Sequence, residues 1–508
     1  MTLRATRRLG LALCLLTGLP LGLGAQQAAI APEPVESPVL GSIAAQPRLP
    51  VDWSVYAFRS GGVPLLTPAE DTLPCPQCHP QKHFWVAAGE LMLAQLIPWG
   101  VNGPIRGKEW AKIGPSSWEE NFENPWVWDN NAFLNNQFSH PYQGNLYFNS
   151  ARSNGYNFWA SAPWSMAGSL MWEMFFEVWA PAPNDWLNTS FGGINLGEVT
   201  YRLSGLVLKN EATGGNRALR ETGAFLIDPF RGFNRLIRGE MKGQSQTPPD
   251  WRPSLIQGSI DVGYRQASQS GQINGPTTAN QGIIDFTLWY GSLLRDIRSA
   301  PFSHFRLFAE LAGNDTTGKL AALETRGTLG GATIRETDKN LQVLGVMMNY
   351  DYISNPIVEY GAQSVTGGWI SGWNTGAFKV QTQLLAQATI IGATKSDYYD
   401  VQEGRNYDYG SGLGGVAQVA AALPGKLFLR ARYITLWAPT INGASGSHQQ
   451  SALLAEARGV FLHRVGIGAR FQWYESRGIY DNLPDVTRFA HAFSIFASWV
   501  VPRWVDGE

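Results

Sequence analysis

The chain has 508 residues, of which 44% are hydrophobic and 16% charged, against about 25% charged in soluble proteins, and it carries 56 glycines and 20 tryptophans. A chain this long can bury a large core, and the profile argues for a β-rich membrane protein over a cytosolic enzyme. The formal net charge of -1 supplies no basic face, which removes nucleic acid from the expected partners.

Arg4, Arg7 and Arg8 precede an apolar run from Leu9 to Leu23 and a small-residue site at Gly24-Ala25. This predicts a secretory signal peptide over residues 1–25, since the run is too short to span a bilayer as a retained anchor. Cys14 follows Leu13 inside the run, which argues against lipoprotein cleavage. Export then leaves Cys75 and Cys78 as the remaining thiols.

Residues 26–115 form a Pro-rich N-terminal region that reads first as extended linker. Within it stands Cys75-Pro-Gln-Cys78-His79. In an oxidising compartment two vicinal cysteines make a disulfide, and that reading leads. C-x-x-C-H is also the attachment pattern for c-type haem, with His79 on the iron and Met92 or His83 as sixth ligand. A third reading places zinc between the thiolates, His79 and His83, although adjacent ligands at 78 and 79 strain a tetrahedral site. From His83 to Ile97 the composition predicts a helix ended by Pro98 and Gly100. Trp118, Trp126 and Trp128, beside acids, suit either a membrane interface or an ordinary core.

Residues 116–245 read as a helical domain. Pro163 and Pro181 bracket one helix over Ala162 to Val178, in which Glu173 and Glu177 share a face. A second helix is expected from Thr189 to Leu208, with Gly193, Gly197 and Gly205 on a small-residue stripe that permits close helix approach. Glu198 and Arg202 are four apart and can pair. Arg217 to Gly239 continues helical, with Arg231, Arg235 and Arg238 suiting an interfacial segment or a solvated face.

Several motifs stand in order here: His140-Pro-Tyr-x-Gly144, Ala151-Arg152-x-x-Gly155, Trp172-Glu173-x-x-x-Glu177, Asn184-Asp185 with Thr189, and Gly192-Gly193-x-x-x-Gly197-Glu198. This order resembles the bacterial envelope family of domain of unknown function 3943, over about residues 135–208. The resemblance implies an outer-membrane-associated protein without an established biochemical activity.

Polar groups in so apolar a stretch should be paired and turned inward. Arg152, Arg202 and Glu198 are the expected buried network. His140, Glu173, Glu177, Asp185 and Glu198 are the candidates for any catalytic or divalent-metal role, for example on an envelope lipid or glycan. The competing reading, a purely structural hydrogen-bond and ion-pair network, carries more weight, because buried networks perturb charges without catalysing anything.

Residues 250–502 change to period two. Ile260, Val262 and Tyr264 alternate with Ser259, Asp261 and Arg265, and the pattern recurs at Phe305-Leu307-Ala309-Leu311, at Leu427-Leu429-Ala431-Tyr433 with Arg430 and Arg432, at Val465-Ile467-Ala469-Phe471 and at Phe493-Ile495-Ala497-Trp499. Such segments, bounded by turn residues, predict about twelve transmembrane strands. A β-sandwich is disfavoured by the consistently polar second face.

The expected fold is therefore α+β: a helical block followed by an antiparallel transmembrane β-barrel of about 12 strands in the outer membrane of a Gram-negative bacterium. The helical block is expected to plug the lumen or to sit at the periplasmic mouth, in a protein with a structural or binding role in the envelope. Outer-membrane lipid and the barrel-assembly machinery are the expected partners, and no cofactor is expected. The alternatives are a barrel-embedded enzyme and a haem-bearing electron-transfer protein.

Overall fold

The computed structural model describes residues 73–270, 277–314, 317–355, 358–398, 405–461 and 464–501. The expected signal peptide and most of the Pro-rich stretch lie outside the described residues.

Twelve antiparallel strands close into a barrel in which each strand pairs with its chain neighbours and the first pairs with the last. They are β1 (Ile256–Ser270), β2 (Thr277–Tyr290), β3 (Phe305–Asn314), β4 (Thr317–Glu336), β5 (Asn340–Ser354), β6 (Glu359–Asn374), β7 (Lys379–Lys395), β8 (Tyr407–Leu423), β9 (Leu427–Asn442), β10 (Gly446–Phe461), β11 (Val465–Tyr480) and β12 (Val486–Val501). Period-two alternation gives the wall its two faces. Val262, Ile284, Leu311, Leu429, Ile467 and Phe493 point outward and are exposed.

The alternate residues point into the lumen, where charges meet across it. Arg458 of β10 donates to Asp261 of β1 at 2.8 Å, Arg470 of β11 to Asp285 of β2 at 2.7 Å, and Arg432 of β9 lies 4.0 Å from Glu324 of β4. None of these strand pairs is adjacent in the sheet, so the ion pairs bridge the interior. Charges removed from water in this way require partners, and these cross-lumen pairs supply part of that need.

The rim that carries the start of β1 and the end of β12 is the terminal rim, and the opposite one is the distal rim. Turns at the terminal rim spanning 337–339, 375–378 and 424–426 are tight, whereas the connection at 291–304 is long. That connection turns at Gly291, whose φ is +72°, and dips into the lumen. Leu293, Leu294 and Ile297 pack there against the inward-facing Leu341, Val343, Met347, Ile370, Leu385 and Val416. Ile297 lies over Gly345, where a Cβ would stand 2.3 Å from its Cδ1. The chain thus supplies its own apolar plug from a loop that the period-two pattern does not reveal.

Eight helices precede the barrel among the described residues: α1 (Phe84–Gly100), α2 (Pro115–Glu123), α3 (His140–Arg152), α4 (Phe158–Phe175), α5 (Pro183–Leu187), α6 (Gly193–Val207), α7 (Gly214–Ile227) and α8 (Pro229–Ile237). Helix α4 begins four residues before the expected Ala162, because the Asn157 side chain accepts from the Ala160 amide at 2.9 Å and caps it there. Pro163 is consequently inside the helix. Helix α1 runs through Pro98 instead of ending at it, and continues into a π-type turn at Val101–Ile105. The single helix expected over Arg217 to Gly239 is two, broken where Asp228 caps α8 ahead of Pro229.

The helical block lies neither in the lumen nor beneath the barrel. It packs on the outer wall. Two consecutive residues of β5 show this: Met347 faces the plug, whereas Met348 belongs to the cluster of Phe148, Phe158, Ile194, Val199 and Phe305. Asn195 of α6 donates to the Met348 carbonyl at 3.1 Å and is hydrogen-bonded to the Thr325 hydroxyl, and the Tyr350 hydroxyl donates to the Gln137 carbonyl at 2.7 Å. Thr325 and Tyr350 are ladder partners, and each shares the outward face of its strand with exposed residues such as Ile334 or Leu344.

The expectation of a helical plug is thus corrected, for two physical reasons. The lumen is already occupied by the ion-pair ladder and the 291–304 loop. The outer wall presents tyrosine hydroxyls that lipid cannot satisfy: Tyr407 donates to the Asn131 carbonyl at 2.7 Å, and Tyr409 accepts from Asn136 at 3.2 Å and Asn184 at 3.3 Å.

Candidate functional site

Two small-residue contacts hold the helical block together. A Cβ on Gly193 of α6 would stand 2.3 Å from the Gly144 carbonyl carbon of α3, and one on Gly197 would stand 2.5 Å from Phe148. The backbones of α3 and α6 therefore cross in direct contact, in the manner of membrane helix pairs. This crossing places the polar side chains of both helices in register.

The first polar group is a three-residue ion pair. Glu198 is fully buried, and its carboxylate accepts from Arg152 Nε at 2.7 Å, Arg152 Nη2 at 3.2 Å and Arg202 Nε at 2.9 Å. Both guanidiniums have further partners. Arg152 donates to the Tyr156 carbonyl at 3.0 Å and stacks over Tyr201, and Arg202 donates to the Pro301 carbonyl at 2.6 Å. The last bond ties the helical block to the loop that carries the plug.

The second group is acidic and lies near the distal rim. It contains His140, Glu173, Glu177 and Asp185, and it adds Asp129, which the sequence reading did not single out. His140 Nε2 is 3.6 Å from Asp185 Oδ2, and Glu173 Oε2 accepts from the Ala182 amide at 2.9 Å. Burial lifts the Glu177 carboxyl to about 8, with Asp129 adding to the rise, and burial likewise lifts Asp185 well above the usual carboxylate range. Burial holds the His140 imidazole below its ordinary value against the pull of Asp129.

Glu198 does not join this acidic group, so the five candidate residues separate into two sites. Among the described residues no cluster of three or more histidine, cysteine, aspartate or glutamate side chains has the arrangement of a metal site.

Cys75 and Cys78 are joined in a disulfide, with Cα atoms 5.4 Å apart. Neither sulfur is then available as a thioether to haem or as a thiolate to zinc, and His79 is exposed. The turn instead fastens the chain. Gln77 donates to Glu240 at 2.8 Å and accepts from Asn210 at 2.8 Å, and the Pro74 carbonyl accepts from the Gln246 amide at 3.0 Å. A neighbouring network of Arg217, Glu221 and Arg235, with Arg217 to Glu221 at 2.6 Å and Arg235 to Glu221 at 2.7 Å, closes this end of the block.

The polarity of the block is inverted relative to a water-soluble domain. Trp85 is 83% exposed and Trp159 59%, and Phe122, Trp179, Leu219 and Leu236 also face outward. Asn145, Asn149, Ser165, Asn195 and Glu198 lie inside. The residues that sequence reasoning missed altogether are the plug and the convergence of lumen arginines. The signal for the latter lay in the inward positions of the alternating strands, among them Arg430 and Arg432.

A family model described as a domain of unknown function (DUF3943) matches residues 125–230. No curated protein matches the chain. Solved structures similar to it include an outer membrane channel, COG4313, from Pseudomonas putida F1, at 7% identity over 49% of this chain and 96% of that one, with a TM-score of 0.29. OmpT, an outer membrane protein of Vibrio cholerae, aligns at 11% identity over 48% and 98%, with a TM-score of 0.17. OccK2 of Pseudomonas aeruginosa aligns at 6% identity over 49% and 98%, with a TM-score of 0.18.

Proposed function

We propose that the protein is an outer-membrane barrel closed from the terminal side by its own loop, which carries a lipid-immersed helical domain on its outer wall and serves a structural or binding role in the envelope. The observation that carries this reading is the division at Met347 and Met348, where neighbouring residues of one strand serve the plug inside and the helices outside. Water could not favour so many exposed tryptophans around a polar interior, whereas hydrocarbon does. The uncovered wall, including Leu429, Trp437, Ile467, Phe471, Phe493 and Trp499, gives the apolar band that a spanning barrel requires. Tight turns at the terminal rim fit a periplasmic orientation of that rim. Insertion by the barrel-assembly machinery follows from this reading, as does contact with outer-membrane lipid.

A plugged lumen should not conduct as an open pore. Purified protein in a planar bilayer is expected to show little steady conductance, and replacing residues 293–298 by a short Gly-Ser linker should produce stable open events. Open-pore conductance from the unaltered chain, undiminished relative to the linker variant, would overturn the closed-barrel reading.

A further inference from the structure

We infer that the barrel lumen holds a binding site for a small free oxyanion, formed by Arg306, Arg326, Arg430 and Arg432. These side chains line a cavity of about 70 Å³ beside the plug, together with Trp289 and Gln383, and no aspartate or glutamate lines it. The carboxylates that answer the four arginines stand behind them. Glu324 lies 3.5 Å from Arg306, 3.2 Å from Arg326 and 4.0 Å from Arg432, and Asp351 lies 2.9 Å from Arg326. Glu456 meets Arg430 at 3.1 Å but is shared with Arg458 and Arg470, each also at 3.1 Å.

Charge is therefore short on the acidic side of the cavity: its four arginines meet three carboxylates, Glu324, Asp351 and Glu456, and the last of these is shared. The hydrogen bonds are short as well: the Nε atoms of Arg306, Arg326 and Arg430 are buried without a partner. A buried donor left unmade is costly, and a planar guanidinium satisfies its N–H groups best on the oxygens of an oxyanion. The site lies inside the wall, so a dissolved anion fits it and a lipid headgroup does not. It depends neither on the membrane placement of the helices nor on the conductance of the pore, since binding is read on the full chain in detergent.

The test is calorimetric titration of inorganic phosphate into the purified full-length protein in low-chloride buffer. Saturable binding is expected, weakened at least tenfold in Arg432→Gln and in Arg306→Gln, and unchanged in Arg477→Gln at the exposed distal rim. Gln383→Glu, which places a carboxylate in the lining, should also abolish binding and guards against an Arg306 variant that fails to fold. Absence of saturable binding to the unaltered protein, or equal binding by Arg432→Gln and Gln383→Glu, would show that water alone fills the cavity and would overturn the proposal.

Discussion

Replacing Glu198 with Gln is expected to destabilise the helical domain by about 3–5 kcal/mol, the cost of stranding buried charge when one partner of a buried ion pair is removed. The side chain is fully buried and receives three guanidinium hydrogen bonds, two from Arg152 and one from Arg202. Glutamine keeps the shape but loses the charge that answers both arginines. Urea unfolding in detergent, followed by gel mobility, should show a clearly lowered midpoint. Adding Arg202→Met to Glu198→Gln should cost much less than the sum of the two single changes, because the second substitution removes a charge that the first has orphaned. Strictly additive, near-zero effects would mean that water screens the group.

A comparably large loss is expected from Gly193→Val. Its Cβ would stand 2.3 Å from the Gly144 carbonyl carbon and 2.5 Å from both Gly144 Cα and Ser165 Oγ. Backbone cannot yield as a flexible side-chain end can, so helices α3 and α6 must separate. Overpacking of this kind costs about 1–3 kcal/mol where neighbours can adjust, and more where they cannot. Limited proteolysis should then cleave the helical domain while the barrel keeps its heat-modifiable mobility. Gly100→Ala, with nothing within 4 Å of the added carbon, is the control and should change stability by less than about 0.5 kcal/mol.

The barrel was legible because its wall has one rule. Asp261 and Arg265 alternate with Val262 and Tyr264, and the same alternation in later strands gives both the faces and the strand count. The pairing of Glu198 with Arg202 was legible from helical spacing, and Gly193 and Gly197 announced a close crossing. What the period could not show was which apolar outward positions meet lipid and which meet protein. Tyr350, Tyr352 and Tyr409 share the parity of the lipid-facing residues, and only the partners of their hydroxyls reveal that helices cover them. The separation of Glu198 from Glu173, Glu177 and Asp185 was equally hidden, since nearness in sequence implied one cluster. The plug was missed because Leu293, Leu294 and Ile297 occupy a connection, where no period marks an apolar run as inward.

The placement of the helical domain against the outer wall is tested most directly by spin-label accessibility. A nitroxide at Trp159→Cys on α4 and another at Ile467→Cys on the bare wall should behave alike in reconstituted bilayers, with strong relaxation by oxygen and little by a water-soluble nickel chelate. Strong relaxation of the Trp159 label by the nickel chelate, with the Ile467 label still shielded, would place the domain in water and contradict the account.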